Sequence, residues 1–144
     1  MCFILFAGTT KPIPRCEFCE YAPALSVLPL NEEEEPVRPH FSMPEVQCIG
    51  STSGCGCDFP HLMLQNGEWP YYDPEPDAER GATHHQIMEA LAGLLRATGE
   101  RLVEFYGIWA GCTGSPEVRE EVPLAALLDA GFHFKEQGFY TVYL

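Results

Sequence analysis

Helical periodicity of useful length occurs at one place in this chain, residues 84–98, and short apolar runs cut by proline and glycine occupy most of the rest. Ile87, Leu91, Leu94 and Leu95 form a stripe at three- and four-residue spacing, with Met88 beside it. Thr83 followed three positions later by Gln86 makes a capping box, and Gly99 stands just past the last turn. One long helix surrounded by runs too short for helices restricts the chain to an α+β arrangement.

Residues 2–7, 25–30, 45–49, 101–109, 132–134 and 139–144 read as strands. A hairpin is expected where 61–64 and 69–72 flank Asn66-Gly67, a pair that tolerates positive φ. Pro123 opens, and Gly131 closes, a short second helix over 123–130. The expected fold is a two-layer sandwich, a mixed sheet of roughly four to six strands packed by the helices 84–98 and 123–130. Residues 1–144 form a single domain, without internal repeats or linkers. If the strands before and after the long helix run parallel, the loops following them share one sheet edge, where open α/β sheets place their ligands.

The stretch Gly54-Cys55-Gly56-Cys57 is the main locus for chemistry. Two thiols stand one residue apart, each behind a glycine, so both sulfurs can be aimed at one point. Zinc takes cysteine and histidine ligands, typically four in a structural site. Cys16 and Cys19 form a CxxC pair that can supply more thiolates, and His61 follows the CxC element closely enough to replace one. Cys2, His40 or Cys112 are alternative completions. The site is thus expected to be a transition-metal centre, zinc foremost, built from Cys55, Cys57, Cys16, Cys19 and His61. Cys48 alternates with Val46 on a strand face and belongs with the core.

Two other chemistries fit the same residues. Cys55 and Cys57 can act as an attacking and resolving thiol pair, although so small a disulfide ring is strained. Removal of Met1 would make Cys2 a terminal nucleophile with its own α-amine as base. No pattern selects a catalytic pair of carboxylates, and no glycine-rich phosphate loop is present.

Eight basic against 21 acidic residues give a net charge of -13, which argues against general nucleic-acid binding. The acidic runs Glu32–Glu35 and Asp73–Glu79 could instead meet a basic protein partner, the cysteines then being incidental. No apolar run reaches the ~20 residues of a membrane span, and the opening run 1–7 lacks the basic start of a secretory signal. Seven cysteines, an odd number, fit a reduced cytoplasmic protein better than a disulfide framework.

Overall fold

The computed structural model describes residues 2–15, 25–51, 54–72, 83–112 and 114–144. The fold is α+β. Its main body is a six-stranded sheet in the order β2-β3-β1-β6-β9-β7. These strands are β1 (Phe3–Thr9), β2 (Ser26–Pro29), β3 (Glu45–Gly50), β6 (Leu102–Trp109), β7 (Val118–Pro123) and β9 (Gly138–Tyr143). Neighbours are antiparallel throughout, except that β7 runs parallel to β9. A smaller sheet joins β4 (His61–Gln65) to β5 (Glu68–Tyr72) on one side and to β8 (Phe134–Lys135) on the other.

The helix α1 (His84–Ala97) is one of four turns and starts where the capping box places it. Thr83 Oγ1 accepts the Gln86 amide at 3.2 Å, while Gln86 Oε1 accepts the Thr83 amide at 2.9 Å. Its apolar stripe, Ile87, Leu91 and Leu95, is fully buried against Phe3, Leu5, Val103 and Phe105 of the sheet. Each such side chain stabilises the fold by about 1.5–3 kcal/mol relative to exposure. His84, in the first turn, is buried as well, whereas His85 faces outward and pairs with Glu89 at 3.3 Å.

Strand alternation divides β1 between two cores. Phe3, Leu5 and Ala7 join the helix-side core, while Phe6, with Ile4 packed alongside, meets Val37, Phe41, Tyr106, Ile108 and Phe139 on the opposite face. That second face is covered by the 3-10 segment Glu35–His40 and by Phe41. Cys48 packs with this group, on the same side as Val46.

Three local readings change. Residues 123–130 contain a 3-10 turn, Leu124–Leu128, with Pro123 as its N-cap and the last residue of β7. Two leucines, Leu124 and Leu127, are all that this turn buries, which one tight turn already accomplishes. The strand β7 itself is an edge strand rich in charge (Arg119, Glu120, Glu121), so its apolar signal is weak. Finally, the strand expected over 132–134 is the two-residue β8, which belongs to the small sheet and runs parallel to β4, with His61 opposite Phe134. The hairpin between β4 and β5 turns at Asn66 and Gly67, with φ of 54° and 80°.

Candidate metal centre

The sheet topology gathers several chain segments at one edge. β1 lies between β3 and β6 and antiparallel to both, so β3 and β6 run parallel and end together. Their ends flank the start of β1: Leu5 is opposite Ile49, and Phe3 is opposite Trp109. Beyond this register the Ala110 amide donates to the Cys2 carbonyl at 2.8 Å, holding Cys2 at the edge. β2 also starts here, Ser26 being opposite Gly50.

The loop leaving β3 carries Cys55 and Cys57 back over the start of β1. Ser51, fully buried, is its anchor. The Ser51 amide donates to the Cys55 carbonyl at 2.8 Å, and Ser51 Oγ lies 2.8 Å from both that carbonyl and Asp58 Oδ2. The two glycines serve different ends. Gly54, at φ 82°, makes the turn, in the left-handed region that a side chain disfavours. Gly56 instead permits a close approach: a Cβ there would stand 3.1 Å from Leu5 N and 3.1 Å from Phe3 O. Gly56–Asp58 forms a 3-10 turn with Cys55 as its N-cap, the Cys57 amide donating to Cys55 Sγ at 3.4 Å.

This packing delivers a cluster of three thiols. Cys2, Cys55 and Cys57 have sulfurs that all lie within 4.8 Å of one another, close enough to bind a metal ion. Cys2 is exposed, and the other two are half-buried. The Phe3 amide donates to Cys57 Sγ at 3.2 Å, so the backbone that presents Cys2 also positions Cys57. Phe3 is itself fixed beneath the site: its ring stacks on His61 at 4.5 Å and meets Trp109 edge-on at 6.0 Å. Gly107 makes room for that ring, since a Cβ there would come within 2.4 Å of Phe3 Cζ.

The surroundings of Cys57 favour its protonated form in the absence of a cation. The hydrogen bond with Cys55 pushes the Cys57 thiol well up, burial adds to this, and the Phe3 amide opposes it. Neighbouring sulfurs resist ionising together because like charges at this distance repel. The Cys48 thiol is pushed up to about 12, chiefly by burial and secondarily by the nearby charges of Glu34 and Cys55. That suits a core residue.

The structure brings together Cys55 and Cys57 and adds Cys2, which had stood only as an alternative completion. His61 is not one of the three: it is buried, with Nδ1 2.7 Å from the Phe59 carbonyl oxygen. Cys16 and Cys19 lie outside the described residues, as does the acidic run Asp73–Glu79. Cys112 is exposed after the Gly111 turn, in a cleft with Glu33 and Glu34 over Ile4 and Ile108. A second cleft, between the first turn of α1 and the Leu124–Leu128 turn, is lined by His84, His85, Asp129 and His133 over Met88 and Phe132. Among the described residues, Cys2, Cys55 and Cys57 are the group of ligand atoms close enough to share an ion.

No family model, curated protein or solved structure matches the chain. Among the described residues no helix is long and apolar enough to cross a membrane.

Proposed function

We propose that this protein binds a transition metal, zinc foremost, through Cys2, Cys55 and Cys57. The observation that carries the proposal is the approach of three sulfurs within 4.8 Å of one another, from segments far apart in the chain. A tetrahedral zinc with Zn–S bonds of ~2.3 Å sets its sulfurs about 3.8 Å apart. Closing from 4.8 Å or less to that spacing takes at most about 1 Å, within reach of small side-chain rotations. A cation also resolves the repulsion among the thiols, because a coordinating thiol is deprotonated outright.

The fourth ligand is assigned to the Cys16–Cys19 pair. What supports this is the entry of β2 at the same edge, where Ser26 pairs with Gly50. Leu25 follows Cys19 by six positions, and such a tether spans up to ~20 Å. His61 is the alternative donor; its Nδ1 lies against a carbonyl, as in many histidine ligands. A site of four protein ligands is closed and structural. Here it would pin the start of β1 to the loop between β3 and β4, in a protein of the cytoplasm, where thiols stay reduced.

Elemental analysis of the purified chain tests the proposal. One zinc per chain is expected, falling well below stoichiometry in the Cys55→Ser, Cys57→Ser double variant. Full metal retention in that variant rejects the assignment. Single Cys16→Ser, Cys19→Ser and His61→Asn variants then identify the fourth donor. If the thiols were incidental to a basic protein partner, binding of that partner would weaken with salt and ignore chelators.

A further inference from the structure

We propose that the cluster is also an oxidation site, at which Cys2 and Cys55, rather than the adjacent Cys55 and Cys57, form a reversible disulfide under hydrogen peroxide. The inference rests on the metal reading only for its last consequence, release of the ion. Cys2 is the exposed member of the three, and so the one an oxidant in solution meets first. Its sulfur lies within 4.8 Å of both partners, so either is within reach after side-chain rotation toward the S–S distance of ~2.05 Å.

The choice between the partners follows from how each is held. Cys57 is packed against the helix-side core, and its sulfur accepts the Phe3 amide at 3.2 Å. Swinging that sulfur toward Cys2 gives up both the packing and the hydrogen bond. Cys55 Sγ also accepts an amide, that of Cys57, at the longer distance of 3.4 Å, but Cys55 belongs to neither core group and sits at the N-cap of the Gly56–Asp58 turn, so its rotation costs less packing. A bond between Cys55 and Cys57 would close a very small ring within that 3-10 turn, a strained product. A bond from Cys2 to Cys55 joins two segments that the Phe3–Cys57 hydrogen bond and the approach of Gly56 to β1 already hold together.

The chemistry balances with peroxide as the sole oxidant. The Cys2 thiolate attacks one peroxide oxygen; an S–O bond forms, the O–O bond breaks, and hydroxide leaves to become water. Cys55 thiolate then attacks the Cys2 sulfur of the sulfenic acid; the S–S bond forms, and the second oxygen leaves as hydroxide and is protonated to water. The two sulfurs together lose two electrons, and one peroxide becomes two waters. A dithiol reductant reverses the change by exchange. With two of its thiolates in a disulfide, the site loses its hold on a metal.

The test treats the intact chain with one equivalent of peroxide and maps the products by mass spectrometry, while a chromophoric chelator follows any released zinc. The expected result is a Cys2–Cys55 cross-linked peptide, loss of two free thiols, release of one zinc per cross-link, and full recovery with dithiothreitol. Cys2→Ser should abolish the cross-link, and Cys112→Ser should leave it intact. A Cys55–Cys57 bond as the main product, or Cys2 oxidised without any cross-link, overturns the inference. The metal-free chain separates the two proposals: cross-linking there with no zinc in the purified protein keeps the oxidation site and rejects the metal centre, whereas a zinc-loaded chain without a Cys2–Cys55 bond does the reverse.

Discussion

Replacing Gly56 by alanine probes the contact on which the site geometry depends. The new Cβ would stand 3.1 Å from Leu5 N, 3.1 Å from Phe3 O and 3.3 Å from Phe3 Cδ1. Two of these are backbone atoms of a central strand, bonded on both sides, so the Gly56–Asp58 turn must move instead, by a few tenths of an ångström. Overpacking of this kind costs about 1–3 kcal/mol. Against it stands about 0.4–1 kcal/mol from the stiffer unfolded chain. The net expectation is a loss of about 1–2 kcal/mol when the turn stays seated. In the metal-free protein the turn can relieve part of that cost by lifting off β1. Zinc needs Cys55 and Cys57 beside Cys2, so bound metal forces the turn back and the remainder appears as weaker binding. Urea unfolding with and without zinc, combined with a competition titration, measures both parts. We expect a lower midpoint in both forms and a zinc Kd raised by about tenfold, the equivalent of roughly 1.4 kcal/mol. A variant as stable as the parent, with unchanged zinc affinity, refutes the close approach and the coupling built on it.

Other expectations are simpler. Gly93→Ala, in the middle of α1 with nothing within 4 Å of the added Cβ, should stabilise by about 1 kcal/mol and raise Tm by roughly 2–4 °C, the sign opposite to that at Gly56. Glu104→Ala should destabilise by about 2–3 kcal/mol in urea, because the buried carboxylate accepts the Ser42 amide at 2.9 Å, the Met43 amide at 3.3 Å and the Ser42 hydroxyl. With its pKa raised from 9.0 to about 12, Cys48 should resist iodoacetamide at pH 8 in the native state and react about a thousandfold faster once unfolded. The same shift fixes a sign: the folded state favours the protonated thiol, so its contribution is complete below pH 9.0 and is lost as pH rises toward 12, which alkaline unfolding of Cys48→Ala against the parent checks.

What the sequence reveals and what it conceals divide along physical lines. The start of α1 is readable because a capping box is a local, reciprocal pair, Thr83 with Gln86. The turn at Asn66-Gly67 is readable because both residues must take positive φ. The parallel course of β3 and β6 is only a conditional reading from the strand, helix and strand order, since β4 and β5 intervene and the two strands are related through β1. The place of Cys2 is different in kind. It depends on β1 inserting antiparallel between β3 and β6, a long-range pairing that no local pattern records. The edge strand β7 hides for a related reason: with one neighbour and a half-exposed surface, its side chains carry charge rather than alternating apolar bulk. The glycines of the CxC element mark a special backbone, but only the fold separates the turn at Gly54 from the close contact at Gly56.

The central claim is that Cys2, Cys55 and Cys57 share one ion, and X-ray absorption at the zinc edge of the loaded protein addresses it most directly. The account predicts a first shell dominated by sulfur at ~2.3 Å, with at least three scatterers. A shell of nitrogen and oxygen at ~2.0 Å without sulfur would contradict it.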